Sequence, residues 1–532
     1  MHKKLPGTII LWAMSMIFLL AGCSDLMQSD ENSKSLVSYT CTYNGNGNTG
    51  GKVPGSKKAL AGEAITLAVN VGDLVKTGYS FAGWNTESDG LGTSYQGGAT
   101  VILESNMTLY AQWVPKTETT LSFYAATTSN EWYLVDAQKL AENDFCVVYG
   151  ETGRNISASA ARAIADEYKN NVYPKITDAF GGIMYMPNNK NKIILLLLDI
   201  QDGFSGSGGY VAGYFDSTHM LSKKTYPYSN EAAMLFMDVY PGDPSAVKDF
   251  CTVIAHELQH LIHFSKNPDR HLWINEGLSL AAEYIYGGEQ ITQRIDYFNG
   301  KFVDTTIPLG NNFFVWDGYW EQRYGDYLAD YATAYLFFRW LGIQAGQNNP
   351  IYQAIINSEY ADYRAVTGPA SQIDLAFSDW KTLLGTWMLA NYYQKDSGLY
   401  GYQKQVPALT ISTVPNYENA KPQFYPGEGV FSLITSSVNP SQPDDIYYIG
   451  LPQDPPSSSP PSLSASGPYT GKALLTFNGN SNEKGLNANG YYVASSLMGS
   501  ISRNAAARDG PLGSPPGNYP VDFREMAKKN RP

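Results

Sequence analysis

Between residues 256 and 260 the chain reads His-Glu-Leu-Gln-His, and no other short stretch limits its folding so tightly. In a helix, residues i and i+4 stand on one face a turn apart, so both imidazoles can reach one ion while Glu257 points beside it. The flanks favour a helix. From Ser245 to Lys266, the residues Val247, Phe250, Cys251, Ile254, Leu258, Leu261 and Ile262 fall on one side of a 3.6-residue period, with His256, His260 and His263 opposite. That pattern predicts a helix packed behind and open to a cleft in front. Pro268 and its neighbours interrupt it, and a second helical pattern runs from His271 to Tyr286 until Gly287-Gly288 ends it. A helical hairpin is predicted.

A catalytic zinc ion takes three protein ligands and keeps a fourth position for water. Glu276, in Leu-Trp-Ile-Asn-Glu-Gly-Leu-Ser (272–279), is the candidate third ligand because it lies on the next helix, sixteen residues beyond His260. The pairing of His-Glu-Leu-Gln-His with Asn275-Glu276-Gly277 resembles the gluzincin metallopeptidases. The longer stretches HELQHLIHF and NEGLSLAAEY resemble most the hyicolysin-type branch. The resemblance implies a zincin-type domain with one zinc ion held by His256, His260 and Glu276, and Glu257 as the base that activates zinc-bound water against a peptide bond. Further on, 330–337 (DYATAYLF) resembles the helix on which related gluzincins set a tyrosine over the metal, which implies a catalytic role for Tyr331. The metzincin pattern does not fit, since its third histidine would fall on Lys266 and its glycine on His263.

Glu283 follows Glu276 by two helical turns on the same face. The two carboxylates are then roughly 10 Å apart, and one ion can bind only one of them. Glu283 is a candidate to hydrogen-bond a ligand imidazole, the usual support of a metal-binding histidine. His263, a turn beyond His260, is expected to miss the ion and either support the ligands or face solvent. Asn275 is placed to brace the start of the second helix, and the sequence offers no partner for His219 or His271.

At the amino terminus Lys3 and Lys4 precede an apolar run, Thr8 to Leu20, too short to span a bilayer comfortably, and then Leu20-Ala21-Gly22-Cys23. This resembles a bacterial lipoprotein signal, implying cleavage before Cys23, acylation of that residue and anchoring at the outer membrane or cell surface, outside the cytoplasm. The net charge of −12, from 37 basic and 49 acidic residues, argues against nucleic acid as a partner. Protein or peptide substrate and the membrane, reached through Cys23, are the expected partners. Besides Cys23 the chain has Cys41, Cys146 and Cys251, enough for one disulfide at most.

Five regions follow: a signal (1–22), a polar tether (23–36), a small β module (37–115), a peptidase domain (116–400) and a β-rich carboxy-terminal region (401–532) with Pro/Ser-rich insertions such as Pro452 to Pro468 and Pro511 to Pro520. In the β module, short alternating segments are separated by turns such as Gly45-Asn46-Gly47 and Asp89-Gly90-Leu91-Gly92. GYSFAGWN (78–85) and TLYAQW (108–113) resemble the internalin-type B-repeat, which implies a β-grasp-like fold with Trp84 and Trp113 structural. The predicted class is a multidomain α+β protein. Within the peptidase region a helix is predicted over Ser157 to Ile176, a buried strand over Ile193 to Leu198 and another over Ala232 to Val239, and the resemblance to the gluzincins implies that a sheet edge lines the cleft, a place that suits Ala233 to Asp238. Helices are predicted over Asp326 to Leu341 and Ser378 to Gln394, and strands over Val430 to Ser437, Ile446 to Leu451 and Lys472 to Asn478. A lipid-anchored zinc endopeptidase is the favoured reading. Its rival is a surface-binding lipoprotein whose peptidase-like scaffold has weak catalysis.

Overall fold

The computed structural model describes residues 37–70, 74–116, 120–127, 131–187, 191–204, 206, 210–268, 271–300, 328–346, 350–414, 426–440, 445–455, 458–463 and 467–481. The signal, the tether with Cys23, Asp326 and Pro511 to Pro520 lie outside these.

The first unit is the β module. Strands β1 (Ser38–Asn44), β2 (Lys57–Leu60), β4 (Tyr79–Asn85), β5 (Ser94–Tyr95) and β7 (Met107–Pro115) form one sheet in the order β2-β1-β7-β4-β5, beside a ribbon of β3 (Ala64–Thr66) and β6 (Thr100–Ile102). Alternation along β1 and β7 turns Cys41, Tyr43, Leu109 and Ala111 inward around Trp84. The Trp84 ring is fully buried and its Nε1 donates to the Ala68 carbonyl at 2.7 Å, while Trp113 Nε1 donates to Gly45 at 3.0 Å. Both indoles are thus structural. The module rests against the next domain, with Phe81, Gly83 and Gln96 facing Tyr133, Asp136 and Gln201 across a small cavity.

The second sheet contains β8 (Thr120–Ala126), β9 (Trp132–Glu142), β10 (Cys146–Glu151), β11 (Ile193–Leu198), β12 (Gly213–Tyr214) and β13 (Met234–Asp238), ordered β12-β13-β11-β10-β9-β8. β11 runs parallel to both β10 and β13 and is covered on both faces, which explains its unbroken Ile-Ile-Leu-Leu-Leu-Leu. Ile193, Leu195 and Leu197 pack toward the helices, and Ile194, Leu196 and Leu198 toward Phe123, Tyr133 and Phe236. The helical pattern predicted from Ser157 begins at that residue, whose hydroxyl accepts from the Ser159 and Ala160 amides. It divides into α1 (Ala158–Glu167), a π turn (Tyr168–Val172) and α2 (Tyr173–Phe180), because Pro174 has no amide hydrogen to give the preceding turn.

Three helices follow that carry the site: α3 (Val247–Lys266), α4 (Leu272–Gly287) and, after the short α5 (Thr292–Phe298), α6 (Leu328–Ala345). Gly288, at φ 72°, closes α4 in the left-handed conformation. Beyond α7 (Ile351–Ile356) and α8 (Arg364–Ala370), Asp379 caps α9 (Trp380–Tyr393) by accepting from the Thr382 amide. A last sheet holds β14 (Thr413–Val414), β15 (Gly429–Leu433), β16 (Ile446–Leu451) and β17 (Ala473–Asn478) in the order β14-β15-β17-β16. Phe431, Ile449, Leu475 and Phe477 enter the same apolar core as Leu384 and Met388 of α9. β15 is shorter than the predicted strand, ending at Leu433. Cys41, Cys146 and Cys251 are all free and buried. Among the described residues no helix is long and apolar enough to cross a membrane.

Candidate metal centre

The entry into α3 is fixed by Asp238 at the end of β13. Its Oδ1 accepts from the Ile200 amide at 3.0 Å and its Oδ2 from those of Tyr240 and Gly242 at 3.0 and 3.2 Å. From there α3 lays its apolar face on the sheet and turns its histidines toward α4. His256 and His260 stand with ring centroids 4.8 Å apart. Glu276 Oε2 lies 3.5 Å from His256 Nε2 and 3.6 Å from His260 Nε2, and one ligand atom from each of the three residues falls within 4.8 Å of the others. These separations exceed ordinary hydrogen bonds. All three atoms are buried without a hydrogen-bond partner. Two bonds of ~2.0–2.1 Å at a tetrahedral ion separate the ligand atoms by about 3.3–3.4 Å, so the cluster has the size and the donor set for a zinc ion.

Electrostatics divide the two imidazoles. Burial disfavours charge on His256, but the Glu276 and Glu283 carboxylates against its ring prevail and lift its pKa to about 10. His260 is pushed down to about 4 by the same burial, which the field of Glu276 only partly offsets. Burial would raise Glu276, yet His260, His256 and a hydrogen bond from the Tyr331 hydroxyl hold it below the usual carboxylate value. Glu257 is raised to about 8, chiefly by burial, with His256 and the Phe215 backbone pulling it back.

Glu283 Oε1 sits 2.7 Å from His256 Nδ1, so the ring can present Nε2 to the cluster. The two carboxylates therefore face opposite nitrogens of one imidazole, as the two-turn spacing allows. Tyr331, on the first turns of α6, reaches Glu276 with its hydroxyl. That approach depends on Gly277, where a β-carbon would stand 2.2 Å from the Phe338 ring. His263 is not at the surface: it is buried, with Nδ1 2.9 Å from Asn275 Oδ1, and so ties α3 to the first turn of α4.

Two expectations are corrected. The front of α3 is not an open cleft, since His256, Glu257, His260 and His263 are as buried as its apolar side; α4 lies across that face and α6 packs on α4. β13 is not a sheet edge either. It lies between β11 and β12, and the edge belongs to Gly213–Tyr214, just before Phe215 and its contact with Glu257. A two-residue strand leaves too little alternation to be read from sequence. His219, left without a partner by the sequence, accepts from the Asn230 amide at its Nδ1, at 3.1 Å.

The geometry thus defines a buried two-histidine, one-glutamate centre with a further carboxylate beside it. Over 311 residues, 55% of this chain and 67% of the relative, the chain is homologous to the neutral metalloprotease ShpI of Staphylococcus hyicus at 26% identity. Residues 39–112 match the Listeria-Bacteroides repeat domain. The chain also resembles a putative Gly-rich membrane protein of Evansella cellulosilytica, 41% identical over 83 residues, and a putative membrane protein of that organism, 38% identical over 80. Each match covers 15% of this chain but only 9% and 12% of those proteins.

Proposed function

We propose that this protein is a zinc-dependent endopeptidase of the hyicolysin type, anchored by lipid at Cys23 and acting outside the cytoplasm of a bacterial cell. The observation that carries the reading is the set of three unsatisfied buried ligand atoms on His256, His260 and Glu276, with Glu257 one residue from the first. These three side chains would hold the ion, and Glu283 would keep Nε2 of His256 turned toward it. A bound zinc ion supplies Lewis acidity, both to water and to the scissile carbonyl. Glu257 takes the proton from the attacking water and returns it to the amine as the C–N bond breaks. Tyr331 donates its hydroxyl to the oxyanion, moving from Glu276 to the substrate. The similarity to a neutral metalloprotease supports the protein-cleaving part of this reading.

Casein supplies the test: the purified full-length protein should hydrolyse it, lose the activity to 1,10-phenanthroline and recover it with zinc. Chelator-resistant cleavage would overturn the metal's role. For the anchor, Cys23→Ser is expected to move the protein from the membrane fraction to the soluble one, or to leave an unprocessed precursor. Unchanged fractionation of a processed chain would refute lipidation at this residue.

A further inference from the structure

We propose that Arg294 recognises a carboxylate on the substrate, an acidic side chain close to the bond that is cut; this rests on the peptidase reading above. Arg294 belongs to α5 and is only 1% exposed. Its guanidinium carbon lies 4.9 Å from the centroid of the Tyr331 ring, and the Tyr331 hydroxyl in turn bonds Glu276. One aromatic ring therefore joins this cation to the proposed zinc ligand.

Among the described residues, neither Nε nor Nη1 of Arg294 has a hydrogen-bond acceptor. A guanidinium keeps its charge at every physiological pH, and its attraction to a ring returns only part of what burial costs. The other inward arginines are better supplied, although among the described residues Arg339 Nε likewise lacks a hydrogen-bond acceptor. Arg154 meets Glu151 and Asp199, and Arg339 lies 3.4 Å over the Tyr284 ring while donating to Gln405 Oε1 at 3.3 Å. Among the described residues, no carboxylate pairs with Arg294, which lies against the Tyr331 ring. A buried charge with spare donors beside a reaction centre is completed by a group that arrives with the substrate. A peptide carbonyl would take a donor and leave the charge unanswered, whereas a carboxylate meets both needs.

The experiment uses the zinc-loaded full-length protein and peptides that differ only by Glu or Gln at each position around the cleaved bond. Wild type is expected to favour Glu at one position by about tenfold or more in kcat/KM, mostly through KM. Arg294→Gln should erase that preference with zinc content unchanged, and Arg294→Lys should keep part of it. A second measurement needs no variant: N-acetylglutamate α-amide should inhibit wild-type cleavage of a neutral peptide, and N-acetylglutamine α-amide should not. Absence of a Glu preference, a preference that survives Arg294→Gln, equal loss on both peptides, or equal inhibition by the two amides would each overturn the proposal. If wild type cleaves none of the peptides, the peptidase reading falls and takes this one with it. If it cleaves them without dependence on Arg294, only this one falls.

Discussion

Glu257→Gln is expected to leave zinc in place and to lower the turnover of a peptide substrate by about 10²–10⁴-fold, the usual contribution of a positioned general base. Glutamine has nearly the shape of glutamate, so the buried space beside His256 stays filled. It also removes a carboxylate from a region where burial already disfavours charge, so the substitution does not cost the fold a favourable interaction. What disappears is the group that takes a proton from water. Steady-state kinetics on a quenched peptide, with zinc measured on the same sample, separate the two effects. Unchanged turnover would remove Glu257 from the chemistry, and loss of zinc would make it a ligand or a structural residue.

The second large effect separates the two carboxylates of α4. Glu276→Ala should weaken zinc binding by several orders of magnitude, because its Oε2 faces the Nε2 atoms of both histidines at 3.5 and 3.6 Å. Glu283→Ala should cost about 10–100-fold, since its carboxylate touches only the far nitrogen of His256. Competition against a chromophoric chelator would rank them. The reverse order would make Glu283 the third ligand and leave Glu276 as the support.

Much of this site was legible because its chemistry is local. Five consecutive residues fix the relation of His256, Glu257 and His260 once they are helical, and the two-turn gap between Glu276 and Glu283 decides that they cannot share an ion. Periodicity likewise located α3 and α4, and an unbroken apolar run located the buried strand Ile193–Leu198. Residues whose meaning comes from another element were harder to read. Nothing in the order of residues says that His263 meets Asn275, that Gly277 admits the Phe338 ring, or that Arg294 lies over Tyr331. The sheet edge was misassigned for the same reason. Met234–Asp238 reads as a strand, but whether it is an edge depends on a two-residue partner, Gly213–Tyr214, about twenty positions earlier. The histidine face of α3 read as open because its residues are polar; α4 closes it with carboxylates rather than with apolar side chains.

The central claim is that His256, His260 and Glu276 hold one zinc ion. X-ray absorption at the zinc edge, recorded on the purified full-length protein together with its metal content, tests it most directly. The expected result is one zinc per chain, two imidazole nitrogens and a carboxylate oxygen as protein ligands, and zinc lost from both His256→Ala and His260→Ala. A protein without zinc, or one whose zinc spectrum and content are the same in those two variants as in the wild type, would contradict it.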